Sequence, residues 1–474
     1  MNFRTDLALE RCEILNKNSI DGIKTETLSY EKAKVTRIDV TNKKGIYRHS
    51  YTAEHYIFSR RNNKAEPLSE NGAQQVPKFS PDGNLIAFVR DNNIFLVKLM
   101  FNNSESQITT DGEFRKIING IPDWVNEEEF TSNCSFDFSA DSKCIAYIKY
   151  DESEVMMYDM PMYSGGQSKE YFDFSKPYSF KYPVAGADNA KVSVHSFDIK
   201  SRVTRQLDVN IPEEGYIPRI KFTKDPNTLA VLTLNRHQSV LEVQAVNPLS
   251  GVSKTILREE SDTYLNEQTY SGIEFLDKYF VFQSERSGYN HLYLYNLAGE
   301  LVRPITSGNY EVKKFYGWDS KKNEFYYSSN EGSPLRESIY KVNAKGKKTK
   351  LTKEEGTNSA VFSSGMKYFI NTYSSIDTPH TVTTNDNNGK QLKTLIEQMR
   401  SEGKTLLVST HIIDSVDMLW DRTIIMQDGQ IRANLTREEL ERDGRTLEQL
   451  FFDVTEGIGR DAMSHTEDSE SQGG

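Results

Sequence analysis

The sequence predicts a mainly β protein, a β-propeller, followed by a small α/β fragment and an acidic, disordered tail. Three observations carry the prediction. One turn pattern recurs, each time followed by short runs of apolar and aromatic residues. Successive copies begin about 40–60 residues apart, the spacing of propeller blades. Aromatic residues make up 11% of the chain, with 25 Tyr and 24 Phe, and such side chains pack well on a pleated surface.

The copies follow one another along the chain. Phe79-Ser80-Pro81-Asp82-Gly83 leads into LIAFVR, then Asp91-Asn92-Asn93, then IFLVKL. Phe138-Ser139-Ala140-Asp141-Ser142 leads into CIAYIKY, and Phe222-Thr223-Lys224-Asp225-Pro226 into LAVLTL. Asp277-Lys278 precedes YFVFQS and HLYLYNL; Asp319-Ser320 precedes EFYYSS and SIYKVNAKG; the last copy is SSGMKYFINTYSS, at 363–375. Pro-Asp-Gly pre-sets a bend, and the flanking runs are too short for helices. A single blade cannot bury both its faces, so neighbours must stack. A β-sandwich is the alternative, but sandwiches rarely reuse one turn in this way. The longest gap, 155–190, holds a Tyr- and Phe-rich insertion.

From Gln391 the pattern changes. Leu392, Leu395, Ile396 and Met399 keep helical spacing, and TLLVST (405–410) reads as a buried strand. The expected division is therefore 1–390 propeller, 391–455 α/β fragment and 456–474 tail.

Composition narrows the function classes. A formal net charge of −10 disfavours a nucleic-acid binder, which needs a basic footprint. Three cysteines, Cys12, Cys134 and Cys144, have no metal spacing and leave room for one disulfide at most. No apolar run is long enough to span a membrane, and the N-terminus has no signal-peptide core. On that reading the protein is cytoplasmic, or the chain lacks its natural start. No cofactor or metal is expected.

Tyr47-Arg48-His49-Ser50-Tyr51 and Asp123-Trp124-Val125-Asn126-Glu127-Glu128-Glu129-Phe130 give the chain a resemblance to the N-terminal propeller of the dipeptidyl peptidase IV family of serine exopeptidases. PLSENGAQQVPKFSPDG (67–83), YDMPMY (158–163), YPVAGADNAKVSV (182–194) and ITSGNYEV (305–312) extend it, in order, over about 20–395. The resemblance implies an eight-bladed propeller, a homodimer formed partly through it, and a periplasmic or extracellular setting. In that family a following α/β-hydrolase domain carries the Ser, Asp and His that release N-terminal dipeptides. This sequence has no Gly-x-Ser-x-Gly elbow; Gly332-Ser333-Pro334 and Ser363-Ser364-Gly365 read as turns. Activity is therefore not expected from this chain alone.

The resemblance assigns three recognition residues: Glu128 and Glu129 to the free ammonium of a bound peptide, and Arg48 to its backbone carbonyl. The chemistry suits those residue types. Paired carboxylates are charge-assisted acceptors for an ammonium, and a guanidinium offers rigid donors. Adjacent residues on a regular strand point to opposite faces, so the two glutamates must lie on a bent or helical turn. Asn126 stands where the family usually has Tyr, which leaves the packing of that turn open. Read without the resemblance, the three glutamates would be an acidic surface turn.

Residues 396–455, above all GKTLLVSTHIIDSVDMLWDRTIIMQDGQI (403–431), resemble the C-terminal end of an ABC-transporter ATPase domain. There His411 matches the switch histidine that meets the nucleotide's terminal phosphate. The phosphate-binding loop and the LSGGQ-type signature are missing from this sequence, so no ATPase is expected. Three readings follow: a peptide-recognition propeller of a serine exopeptidase, a binding module or hybrid gene product without catalysis, and an ATPase-related protein.

Overall fold

The computed structural model describes residues 35–59, 64–99, 103–162, 175–394, 420–427, 430–447, 449–451 and 453–454. The chain divides into two compact units, one spanning residues 18–308 and one whose described part begins at residue 309. Both are built from consecutive antiparallel sheets.

In the first unit, Val35–Gly45, Tyr51–Ser59 and Lys64–Pro67 form a three-stranded sheet. A four-stranded sheet follows, Gln75–Phe79, Leu85–Arg90, Asn93–Lys98 and Ser104–Gln107. The next is centred on Cys144–Asp151, paired along its whole length with Lys191–Asp198. Two more four-stranded sheets run from Tyr216 to Glu260 and from Glu274 to Pro304. The second unit continues the series with sheets over Val312–Lys350 and Thr357–Thr394. Each four-stranded sheet pairs its strands in chain order, the up-and-down arrangement of a propeller blade.

The recurring turn has a physical basis. Ser80, Ser139 and Ser363 each donate their backbone N–H to the carbonyl of Leu85, Cys144 and Tyr368, five residues on. The same hydroxyls accept the returning N–H groups of those residues at 3.0, 2.9 and 3.3 Å. The fourth turn position lies at positive φ, with Gly83 at 71°, Ser142 at 62° and Met366 at 52°. Glycine suits that position; serine and methionine bear a small steric cost there. Both serine-containing triplets are turns, with Ser363 as a turn acceptor and Ser333 within the Asn330 turn.

The central strands of the two sheets over Tyr216–Glu260 and Glu274–Pro304 are deeply buried: Leu229–Leu234 has no exposed side chain, and Phe280, Val281 and Phe282 are fully buried. One core cluster joins Phe130, Tyr216, Leu232, Tyr270, Phe280 and Phe282. The Tyr- and Phe-rich insertion is a hairpin, Met157–Met162 paired with Lys176–Lys181.

Three expectations change. The helical spacing from Gln391 is not realised at its start: Gln391–Thr394 is an edge strand paired with Thr378–Asp386. Backbone pairing to an open sheet edge outweighs a weak periodic signal there. Within the expected α/β fragment, Arg422–Gln427 pairs not into a parallel sheet but with Gln430–Thr436 in an antiparallel hairpin, which packs with the helix Arg437–Arg442 around Ile425, Leu440, Leu447 and Leu450. Cys134 and Cys144 are free thiols, so the two do not form the one disulfide left open. Cys12, His411, TLLVST and the acidic tail lie outside the described residues. Among the described residues no helix is long and apolar enough to cross a membrane.

Candidate functional site

The acidic triplet lies on the short helix Trp124–Phe130. Asp123 is its N-cap: its carboxylate accepts from the backbone N–H of Asn126 at 2.9 Å and from the Asn126 side chain at 2.7 Å. Such a cap satisfies donors that the first turn leaves unpaired. Asp123 is buried, and that burial pushes its carboxyl above the usual range, against the two donations from Asn126. Asn126 therefore serves the cap, which is how this chain accommodates the departure from Tyr.

Successive helical residues point about 100° apart, so the three glutamates cannot all face outward, and one turns into the protein. Glu127 turns inward and is 1% exposed. Its Oε1 accepts the backbone N–H groups of His49 at 2.7 Å and Ser50 at 2.8 Å. The loop that carries Arg48 is thereby fastened to the helix. Further bonds close the loop: Tyr47 N–H to Ser50 Oγ at 3.2 Å, and Asn133 Nδ2 to the His49 carbonyl at 3.3 Å.

Glu128 points sideways to Arg48, with Nε to Oε2 at 2.7 Å. Its side chain is only 14% exposed, against 73% for Arg48, so the guanidinium reaches into solvent from a sheltered carboxylate. Glu129 is exposed beside them. Its charge registers at Tyr270, whose phenol is pushed up by burial first, then by Glu267, with Glu129 adding a smaller share and Arg219 opposing. At the helix end Arg219 donates to the Phe130 carbonyl and pairs with Glu267 at 2.9 Å. His49 lends its backbone to the loop, and its side chain is exposed.

An aromatic wall flanks the loop. Trp124 packs on Tyr182 and Phe180 at centroid distances of 4.3 and 5.6 Å, and Tyr47 on Phe180 at 6.2 Å. The hairpin holds the loop directly, with Tyr178 Oη donating to the Ile46 carbonyl at 3.0 Å. Sequence analysis named Arg48, Glu128 and Glu129; the structure pairs Arg48 with Glu128 and puts Glu129 on the next helical position. It missed Glu127 and the hairpin. A run of three glutamates behind an N-cap Asp could have shown that one must face inward; nothing in the sequence shows which loop it would meet.

Glu152 lies near this wall, 5% exposed. Burial, then the charge of Asp123, pushes its carboxyl up to about 7, opposed by Lys181 and Arg115. A carboxyl whose folded pKa exceeds its unfolded value stabilises the fold below the unfolded pKa and loses that contribution as pH rises towards the folded one. Stability is thus expected to fall between about pH 4.5 and 7. Glu152→Gln should raise stability at pH 8 by about 3 kcal/mol and leave it unchanged near pH 4. Thermal midpoints of both proteins across that range test this; parallel curves would refute it.

Among the described residues no group of three or more His, Cys, Asp and Glu could hold a metal ion. The arrangement offers two carboxylates on consecutive helical positions and one exposed guanidinium, a set suited to a cation with an adjacent carbonyl.

Residues 32–380 match the family model of the dipeptidyl peptidase IV N-terminal region. The chain belongs to the dipeptidyl peptidase IV family. It is similar to "Probable dipeptidyl peptidase 4" of Aspergillus fumigatus, 31% identical over 359 residues, covering 72% of this chain and 46% of the relative. Dipeptidyl peptidase 4 of Trichophyton rubrum is 30% identical over 353 residues, covering 72% and 45%. The crystal structure of Porphyromonas gingivalis dipeptidyl peptidase 4 superposes with a TM-score of 0.71 at 37% identity, covering 85% of this chain and 58% of that one. The chain thus spans about half the length of these dipeptidyl peptidase relatives.

Proposed function

We propose that this chain is the substrate-recognition propeller of a dipeptidyl peptidase IV-type serine exopeptidase, binding the free N-terminus of a peptide. The observation that carries the reading is the Arg48–Glu128 pair, fastened by Glu127, with Glu129 exposed beside it. A peptide ammonium would take the carboxylates of Glu128 and Glu129, and Arg48 would turn its remaining donors to the first backbone carbonyl. Blocking the amine removes the charge, so a blocked peptide gains nothing from the two carboxylates. A periplasmic or extracellular setting fits family membership and a diet of peptides. The sequence has no nucleophile elbow, so the role proposed for this chain is recognition, with bond cleavage assigned to a hydrolase domain of the family type.

Titration of the full chain with a short Xaa-Pro peptide and its N-acetylated form tests the reading. Binding of the free peptide at least about tenfold tighter, lost in Glu128→Ala and Glu129→Ala, is expected. Equal affinity for the two peptides would refute it. Turnover of an Xaa-Pro reporter that a serine-directed inhibitor abolishes would overturn the assignment of cleavage elsewhere.

A further inference from the structure

A chain with a net charge of −10 holds a cluster of exposed lysines in its second unit. It arises where four turns of the second unit meet. Two of these join strands of the Val312–Lys350 sheet, at residues 319–324 and 343–348. The other two belong to the Thr357–Thr394 sheet, at 362–368 and 386–391. Hydrogen bonds show that the turns adjoin: Lys322 Nζ to Asn387 Oδ1 at 3.3 Å, Lys341 Nζ to Asn388 Oδ1 at 3.0 Å, and Asn387 N to the Lys367 carbonyl at 3.0 Å.

Six lysines stand exposed on these turns: Lys321, Lys322, Lys345, Lys347, Lys367 and Lys390. Three carboxylates lie nearby, and only Glu324 is paired with a cation of its own. Asp319 accepts from the backbone N–H groups of Lys321 and Lys322 at 2.9 and 3.2 Å. Asp386 does the same for Asn388 and Lys390, both at 2.9 Å. Glu324 is bound by the buried Lys341 at 3.2 Å and by Tyr326 Oη at 2.9 Å. Six exposed lysines against the charges of Asp319 and Asp386 leave an excess of about four positive charges at the turn tips.

We propose that this end of the two sheets docks on an anionic lipid surface. Clusters of four to eight basic side chains are the size that holds a protein at such a surface. The lysines are spread over four turns rather than along one strand, which suits a sheet of headgroups more than a linear polymer. The turns contain no arginine for base or phosphate forks, and none of the exposed large apolar residues lies in them. Contact is therefore electrostatic, at headgroup depth and without insertion, and salt weakens it.

Co-sedimentation of the full chain with phosphatidylcholine vesicles, alone or mixed with phosphatidylglycerol, tests the proposal. Binding to the mixed vesicles at least about tenfold stronger at low salt, and abolished near 0.5 M salt, is expected. The variant Lys345→Glu/Lys347→Glu/Lys367→Glu should lose that binding with its thermal midpoint unchanged. The control Lys200→Glu/Lys254→Glu, exposed on the first unit, should keep it. Equal binding to both vesicle types, no binding to either, or an unaffected triple variant would overturn the proposal. Retention on heparin without vesicle binding would overturn it in favour of an anionic polymer.

Discussion

Replacing Glu127 by alanine is expected to release the Arg48 loop from the helix and abolish the peptide binding proposed for Arg48, Glu128 and Glu129. Glu127 Oε1 accepts two backbone N–H groups, from His49 and Ser50. Hydrogen bonds to a charged acceptor contribute about 1.5–3 kcal/mol each, and orphaned buried donors cost more than the bonds alone suggest. Removing a buried charge offsets part of that loss, since Glu127 Oε2 has no hydrogen-bond partner among the described residues. A net destabilisation of about 2–4 kcal/mol is expected. Glu127→Gln keeps an acceptor at the Oε1 position and should retain most of the loop's order. Amide hydrogen exchange at His49 and Ser50 separates the two variants: exchange should accelerate strongly in the alanine variant and little in the glutamine one. Unchanged protection in Glu127→Ala would show that the loop is held by the hairpin instead.

The second large effect is expected at Phe130, the last residue of the same helix. It is 1% exposed and meets Tyr216 edge-on, with ring centroids 5.2 Å apart. Through it the helix is anchored in the core shared by the sheets over Tyr216–Glu260 and Glu274–Pro304. Phe130→Ala should cost about 3–5 kcal/mol, the usual range for emptying an aromatic core site. The helix would also lose the contact that sets its height, so free-peptide affinity should fall together with stability. Phe130→Leu, which refills much of the volume, should recover most of both. Urea midpoints and peptide titrations on the two variants test this. A stable Phe130→Ala protein with intact binding would show that the cap at Asp123 and Arg219's bond to the helix end suffice to hold it.

The blade pattern was legible in the sequence because it is local. A hydroxyl, a bend and an apolar run lie within ten residues of one another, and their hydrogen bonds close within the same turn. Side-chain alternation then needs no information from elsewhere in the chain. The four residues Gln391–Thr394 show the limit of that locality. Their spacing favours a helix, yet a neighbouring strand with open hydrogen-bonding groups decides for pairing.

The candidate site was half legible. Arg48, Glu128 and Glu129 stand in stretches whose residues mark the family, and acidic and basic side chains on turns invite a charged ligand. What they bind to within the fold was not legible. Glu127 and His49 are 78 residues apart, and Arg48 and Glu128 are 80 apart. The sequence by itself therefore determined the strands, the turns and the chemical types at the site. Only the tertiary structure decided that the first glutamate of three is a buried brace and the second a partner of Arg48. It also decided that four distant turns pool their lysines at one end. The reason is physical: turn chemistry acts over a few bonds, whereas charge pairing and burial act between whichever surfaces packing brings together.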